Sequence, residues 1–260
     1  MRTNAATGSH YTNYNLVTVG GLLGRADSPD SRFLKIDRCW NSGDIEANHV
    51  SGVSAGGIVG ESVEPSSFSK DEVTLRLTNS ANYGNISAIS VSQSANAGGL
   101  VADNWADGYD EDPYVINCLN TGNVLATGRP GCVGGLFGKC YDSDTKVYCC
   151  VNTGEISGIY QGMPAAKISD YAEHRHLGAL CGYDGGCYYY CFWNNNHNEL
   201  PIVYNYENYA YVVDSSYSSN ISSKTMNGLL PNIPAGIVSS YCSWTGSTTD
   251  FGLELVITRQ

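Results

Sequence analysis

The chain has 260 residues, a formal net charge of −11 and only 14 Lys and Arg residues. These basic residues form no cluster of the kind that holds phosphates, so nucleic acid is not an expected partner. No run of 18 apolar residues occurs, which argues against a membrane-spanning helix. Residues 1–18 are polar and contain no apolar core, so they do not form a signal peptide.

A glycine-glycine motif is the first predicted element of an internal repeat. Each copy is followed by a short apolar run such as Leu100-Val101, which is typical of a buried strand. The copies begin at Gly20-Gly21, Gly56-Gly57, Gly98-Gly99, Gly134-Gly135 and, in weaker form, Gly178-Ala179. The steps between their first residues are 36, 42, 36 and 44 residues. Recurrence at such a period indicates a repeat architecture.

An asparagine motif keeps step with the glycine motif. In each copy an asparagine stands two residues before a glycine, as in Asn120-Thr121-Gly122, and we expect positive φ and a corner there. The four asparagines are Asn41, Asn82, Asn120 and Asn152. A second short strand is expected after each corner.

Seven of the ten cysteines form two groups with an expected role. Three of them share one position of the asparagine motif, and Ala81 takes that position in the second copy. The three are Cys39, Cys118 and Cys150. We expect them to stack near the core as small apolar side chains. The candidate disulfides are Cys132 with Cys140 and Cys181 with Cys187.

Pieces this short cannot bury a face alone, but stacked copies bury a continuous core. The repeat therefore predicts an all-β solenoid of about five rungs over residues 1–193, in which the motif glycines, cysteines and asparagines are structural. Residues 194–260 begin with a tyrosine-rich stretch and are predicted to cap the last rung as a continuation of the solenoid. Within this cap we expect a short helix over 222–232 and a final strand over 251–257.

The Gly98–Val101 motif, followed by Asn117–Val124, resembles the GLUG repeat, and the resemblance covers residues 19–193. The sequence departs from the repeat at Ala81, Ala102 and Ala179. The GLUG repeat occurs in secreted and surface-attached bacterial proteins, some of them adhesin-like. The resemblance implies a right-handed parallel β-helix, in line with the usual handedness of crossovers. It also implies a secreted or cell-surface location, with a leader that has been removed, and it transfers no catalytic residue.

Four insertions between the two motifs are predicted to leave the solenoid on one edge and to build a shared binding surface. They cover residues 25–35, 61–72, 102–113 and 139–146. The third insertion is rich in acids, and it is either a solvated acidic loop or a Ca²⁺ site made of carboxylate oxygens. The candidate calcium ligands are Asp103, Asp107, Asp110 and Asp112.

Aromatic side chains in the insertions and in the tyrosine-rich stretch are the candidate contacts for a ligand, because their rings stack on sugars or protein. The predicted binding residues are Trp105, Tyr109, Asp110, Tyr141, Tyr204 and Tyr206. Asp110 and Asp142 could act as paired acids on a sugar across a rung, but no Arg or Lys recurs beside them.

The leading hypothesis is a non-catalytic bacterial surface or secreted module, adhesin-like, that binds a host or bacterial glycan or protein through the stacked insertions. No cofactor is expected other than possible calcium. Two alternatives stay open, namely a polysaccharide-cleaving β-helix enzyme, either a lyase or a glycosidase, and a structural spacer. An enzyme would need a cleft with converging acids, whereas a spacer would show no shared aromatic or acidic patch.

Overall fold

A computed structural model describes most of the repeat region and two short pieces beyond it. The described residues are 16–27, 34–63, 75–105, 115–129, 131–141, 145–160, 163–164, 176–183, 186–189, 191–194, 211–213 and 216–218. They contain 25 β-strands, numbered β1 to β25 in chain order, and no helix. Successive repeats pair in parallel and form a β-solenoid of about three turns. The all-β solenoid that the repeat predicts is thereby confirmed.

One sheet has nine strands. They are β1 (Val17–Gly20), β5 (Ile45–His49), β6 (Val53–Gly56), β10 (Ile86–Gly98), β14 (Val124–Arg129), β15 (Cys132–Gly134), β19 (Ile156–Tyr160), β20 (Met163–Pro164) and β21 (His176–Gly178). The long strand β10 pairs with β5 through its first residues and with β6 through its last residues. The single antiparallel pairing among the described strands joins β19 to β20.

Three further sheets complete each turn, and all of their pairings are parallel. The four-stranded sheet contains β2 (Leu23–Asp27), β7 (Val59–Val63), β11 (Val101–Asn104) and β16 (Phe137–Cys140). The first six-stranded sheet contains β3 (Leu34–Asp37), β8 (Leu75–Thr78), β12 (Val115–Ile116), β17 (Lys146–Tyr148), β22 (Cys187–Tyr189) and β24 (Tyr211–Val213). The second contains β4 (Trp40–Asn41), β9 (Ala81–Asn82), β13 (Leu119–Asn120), β18 (Val151–Asn152), β23 (Phe192–Asn194) and β25 (Ser216–Ser218).

The buried apolar side chains form two clusters. The larger one includes the residue after each glycine-glycine pair from the second copy onward, and these side chains are fully buried: Ile58, Leu100, Leu136 and Leu180. The smaller one packs on the nine-stranded sheet and includes Val53, Ile86 and Ala97. Burial of a Leu or Ile side chain contributes about 1.5–3 kcal/mol relative to exposure, so stacking these positions stabilises the fold.

Glycine is required in the glycine-glycine motif because neighbouring repeats approach each other closely there. A Cβ atom at Gly99 would lie 2.1 Å from the carbonyl oxygen of Gly135 and 2.4 Å from Cγ of Asn120. The turn glycines after the first copy are equally crowded, and a Cβ at Gly122 would lie 1.9 Å from the carbonyl oxygen of Gly84. Contacts this short with backbone atoms leave no room for a side chain.

The four motif asparagines form a ladder of side-chain hydrogen bonds along the solenoid. The Nδ2 groups of Asn41, Asn82 and Asn120 each donate to Oδ1 of the next asparagine at 2.8 Å. The Asn120 amide also donates to the carbonyl oxygen of Gly122 at 2.8 Å, and the other copies make the equivalent bond. At the last step, Nδ2 of Asn152 donates to the carbonyl oxygen of Ala179 at 3.0 Å.

The positive φ expected at the Asn-x-Gly corner lies elsewhere in the repeat. None of the glycines that follow the motif asparagines has positive φ, and the left-handed residue instead precedes the cysteine position. The left-handed residues are Arg38, Asn79, Asn117 and Cys149, with φ of 55°, 48°, 54° and 53°. The predicted corner at Asn-x-Gly is confirmed, since the chain bends at Gly43, Gly84, Gly122 and Gly154 and passes from one sheet to another there, but the positive φ expected at that corner is wrong.

The cysteine position of the second repeat is occupied by Ser80 rather than by Ala81. Ala81 pairs with Trp40 and with Leu119, which follow Cys39 and Cys118. The hydroxyl of Ser80 accepts a hydrogen bond of 3.2 Å from the backbone N–H of Cys39. The second copy thus keeps a small side chain with a hydrogen-bonding atom at this position.

The remaining members of this row are stacked thiols. Cys118 and Cys150 are fully buried, and the backbone N–H of Cys118 lies 3.4 Å from Sγ of Cys150. Cys191 is also fully buried, whereas Cys39 is only partly buried. Burial, together with the neighbouring thiols, raises the pKa of the Cys150 thiol well above its ordinary value.

The two predicted disulfides are not formed. Cys132, Cys140 and Cys181 are not disulfide-bonded. Cys140 and Cys181 belong to the larger apolar cluster. Cys149, for which the sequence predicts no bridge, is disulfide-bonded.

Several predicted features lie outside the described residues. They include Asp107, Tyr109, Asp110, Asp112, Asp142, Tyr204, Tyr206, the helix over 222–232 and the strand over 251–257. Of the predicted cap over 194–260, the structure describes Asn194 at the end of β23 and the strands β24 and β25.

Candidate functional site

Four charged residues occupy one register position of the four-stranded sheet. Arg25 is the register partner of Glu61, and Lys139 is the register partner of Asp103. Glu61 and Asp103 are themselves partners, so the two pairs are joined. Residues at one register position of neighbouring strands share a face. We refer to these four residues as the charged row.

The charged row corrects the predicted starts of the insertions. The sequence predicts that the insertions begin at Arg25, Glu61, Ala102 and Lys139, but all four residues lie within strands. The strands continue to Asp27, Val63, Asn104 and Cys140, two or three residues further than expected. The insertions still leave the four-stranded sheet at stacked positions in successive turns.

The two acids of the charged row are buried side by side. Glu61 is 6% exposed and Asp103 is 3% exposed. Burying two like charges on neighbouring strands is unfavourable unless cations offset them. Nη1 of Arg25 lies 3.4 Å from Oε2 of Glu61 at one end, and Lys139 is the next residue of the row at the other end.

The side chain of Asp103 is hydrogen-bonded across two sheets, from the four-stranded to the nine-stranded one. Nδ2 of Asn96, on β10, donates to Oδ2 of Asp103 at 3.0 Å. Oδ1 of Asp103 is buried and has no hydrogen-bond partner among the described residues. Desolvation raises the pKa of Asp103 to about 7, against the lowering effect of Lys139, and the charge of Glu61 raises it further. Hydrogen bonds from the Asn96 and Trp105 side chains act in the lowering direction.

The burial of Asp103 argues against a solvated loop at this residue, one of the two interpretations of the acidic insertion. Asp103 does not lie in a solvated loop, because it belongs to β11 and is almost fully buried. The other predicted calcium ligands follow Trp105 in the chain and lie outside the described residues. In the described part of the chain, no group of three or more His, Cys, Asp or Glu side chains could hold a metal ion.

Three aromatic residues meet where the four-stranded sheet ends. The rings of Trp105 and Tyr141 are stacked, with centroids 3.7 Å apart and planes inclined by 24°. The ring of Tyr183 meets that of Tyr141 edge-on, with centroids 6.3 Å apart. We call Trp105, Tyr141 and Tyr183 the aromatic cluster.

The backbone fixes the members of the aromatic cluster in successive turns. The N–H of Trp105 donates to the carbonyl oxygen of Ser62 at 2.9 Å, and the N–H of Tyr141 donates to that of Asn104 at 3.0 Å. The carbonyl oxygen of Tyr183 accepts from Cys140 at 3.0 Å. Parallel pairing therefore continues past the strand ends and places the rings on neighbouring turns.

Lys139 connects the aromatic cluster to the charged row. Its Nζ lies 3.7 Å from the ring centroid of Tyr141, 5.3 Å from that of Trp105 and 5.2 Å from that of Tyr183. All three distances are within the range of a cation–π interaction, which contributes about 0.5–2 kcal/mol. The ammonium group is thus held near the rings by their negative faces.

The site offers an aromatic surface with a fixed cation beside it. Trp105 is 42% exposed, and Tyr141 and Tyr183 are partly buried. One face of the indole is covered by Tyr141, which holds the ring in place. The exposed part of the indole can stack on an apolar face of a ligand, while the ammonium of Lys139 can donate hydrogen bonds.

The structure brings together two of the predicted binding residues, Trp105 and Tyr141, and places Asp103 beneath them. Sequence reasoning missed Lys139, Tyr183 and Glu61 as parts of the site. The charged row can be recognised in the sequence. Each of its four members directly follows the last residue of the motif, which is glycine in three copies and Ala102 in the other. Comparison of that single column across the repeats would have found it.

No helix among the described residues is long and apolar enough to span a bilayer. Searches against protein-family models, curated proteins and solved structures return no match to this sequence or fold.

Proposed function

We propose that this chain is a non-catalytic recognition module that binds a saccharide at the aromatic cluster. The observation that carries the proposal is the stacked pair of Trp105 and Tyr141, whose indole remains 42% exposed. Exposed aromatic rings that are already fixed in position lose little conformational entropy when a ligand binds. A sugar ring has apolar C–H faces that suit such a surface and hydroxyl groups that suit the nearby ammonium.

The burial of the acidic pair supports a binding role over a catalytic one. A glycosidase or lyase needs carboxyl groups that reach the reacting atoms of the substrate. The closest pair of acids in the described part of the site, Glu61 and Asp103, is almost fully buried. The paired acids of the enzyme hypothesis, Asp110 and Asp142, lie outside the described residues.

We further propose the finer architecture that the repeat suggests. Five glycine-glycine copies and six strands in each of two sheets support about five rungs. The GLUG resemblance supports a right-handed coil and a secreted or cell-surface, adhesin-like role, with residues 194–260 as a cap. Calcium bound by the acids after Trp105 remains part of the proposal, as a possible aid to ligand binding.

A glycan-array screen of the purified chain, with and without calcium, tests the proposed function. We expect binding to a defined saccharide class. A response that requires calcium would implicate the acids between Trp105 and residue 113. If no glycan binds under either condition, the recognition of a sugar is wrong, and a protein ligand or a spacer role takes its place.

A further inference from the structure

We propose that the saccharide is acidic, and that Lys139 binds its carboxylate while a sugar ring stacks on the exposed part of Trp105. This inference rests on the proposed function and names the chemical class of the ligand. Uronic and sialic acids are the sugars that carry such a carboxylate.

The N–H donors of the Lys139 ammonium have no oxygen acceptor among the described residues. Its described contacts are with the faces of three aromatic rings, at 3.7 to 5.3 Å. Ring faces attract the positive charge but do not replace strong oxygen acceptors for the three N–H donors of a lysine. Among the described residues, no hydrogen bond or ion pair at Nζ is formed. A ligand carboxylate would supply the missing acceptors through charge-assisted hydrogen bonds.

The nearest acid does not neutralise Lys139 fully. Lys139 acts on Asp103 through space, but the two described side chains form no ion pair with each other. Desolvation raises the pKa of Asp103 to about 7, so a large fraction of this carboxyl group is protonated at neutral pH.

The same arrangement makes binding of an acidic sugar depend on pH. Asp103 faces Glu61 on β7, Lys139 on β16 and the uncharged Asn96 on β10, and the thiols of Cys132 and Cys140 lie on the flanking strands. Glu61 is already paired with Arg25 at the far end of the row. As pH rises through about 7, Asp103 gains a negative charge beside Lys139. That charge competes with a ligand carboxylate, so affinity should fall.

The decisive experiment compares oligosaccharides containing uronic or sialic acid with their methyl esters, which keep the ring and lose the charge. Isothermal titration at pH 6 and pH 8 would use the wild type, Lys139→Gln, Asp103→Asn and the exposed-lysine control Lys35→Gln. We expect the free acid to bind about tenfold more tightly than its ester, because a charged hydrogen bond is lost in the ester. Lys139→Gln should remove that preference, and Lys35→Gln should keep it.

The wild type should bind the acid more tightly at pH 6 than at pH 8, and Asp103→Asn should flatten this dependence while it keeps the preference for the acid. Equal binding of acid and ester, or a preference that survives Lys139→Gln in a folded variant, would overturn the inference and leave saccharide binding intact. Absence of binding to every saccharide would overturn the proposed function as well. Circular dichroism melting of each variant confirms that the compared proteins are folded.

Discussion

The indole of Trp105 stacks on the phenol ring of Tyr141 at a centroid distance of 3.7 Å, although the two residues are 36 positions apart in the chain. They come together because β11 and β16 are parallel neighbours and the backbone pairing continues past both strands. Tyr141 covers one face of the indole and leaves the rest exposed. The partner that is less exposed therefore controls the position of the partner that would meet a ligand.

Tyr141→Ala should weaken saccharide binding about tenfold, even if Tyr141 itself makes little contact with the sugar. The stacked pair contributes about 0.5–1.5 kcal/mol beyond its buried area, and its loss would free the indole to adopt other rotamers. Tyr141→Phe keeps the ring and should bind like the wild type. Titration of both variants with the best ligand from the glycan array checks this, and equal affinities for the two variants would contradict it.

Asp103→Asn should stabilise the protein at alkaline pH. The pKa of Asp103 is raised from 3.8 to about 7, so the folded state keeps the proton where the unfolded state has lost it. The cost of ionising this buried group is absent below pH 3.8, grows as pH rises towards about 7 and is complete above that value. Asparagine cannot ionise, so the variant should gain a few kcal/mol at pH 8 and almost nothing at pH 4.

Denaturant unfolding at both pH values measures that difference. The exposed carboxylate Glu46 provides a matched control, and Glu46→Gln should leave the free energy of unfolding unchanged within about 0.5 kcal/mol at each pH. A gain in Asp103→Asn that is the same at pH 4 and pH 8 would show that ionisation of Asp103 is not its source.

Asn120→Ala should destabilise the fold by about 2–4 kcal/mol. Asn120 is fully buried, and its side chain donates to Asn152 and Gly122 and accepts from Asn82. Buried polar groups left without partners cost about 1–3 kcal/mol each. Asn41→Ala, at the first and partly exposed step of the ladder, should cost clearly less. Chemical denaturation of both variants tests this order, and equal losses would contradict the dependence of the cost on burial.

Gly99→Ala should prevent native packing, with a loss of about 3 kcal/mol or more. Its Cβ would lie 2.1 Å from the carbonyl oxygen of Gly135, and backbone atoms cannot move away as a flexible side chain can. At Gly43, the nearest atom to an added Cβ is Oδ1 of Asn41 at 3.7 Å, an ordinary contact. Gly43→Ala should therefore change the melting temperature little, and a similar loss in both variants would count against the close approach.

The solenoid could be predicted from the sequence because the residues that recur in each repeat are the ones that close packing between turns requires. The glycine-glycine copies and the motif asparagines recur in step, and in the structure they meet in consecutive turns. The internal geometry of the corner could not be predicted in the same way. Left-handed Arg38 and Cys149 are residue types that give no turn signal, and only their register with Asn79 and Asn117 reveals them.

The candidate site could be predicted only in part. Trp105 and Tyr141 stand out as aromatic residues near insertions, but Tyr183 lies a further 42 residues along the chain, and its contact with Tyr141 depends on stacking. Charged residues usually mark exposed segments, which is why the sequence predicts loops at Asp103 and Lys139. Opposite charges at the same register position allow these residues to occupy a strand. This pairing becomes visible only when the repeats are aligned with one another.

The most direct test of saccharide recognition at the aromatic cluster is a binding titration of Trp105→Ala beside Trp40→Ala, with the best ligand from the array. Both tryptophans are exposed, at 42% and 62%, but Trp40 lies on β4, away from the cluster. If the saccharide stacks on Trp105, we expect at least a tenfold loss of affinity in Trp105→Ala and unchanged affinity in Trp40→Ala. Full affinity in a folded Trp105→Ala variant would contradict it.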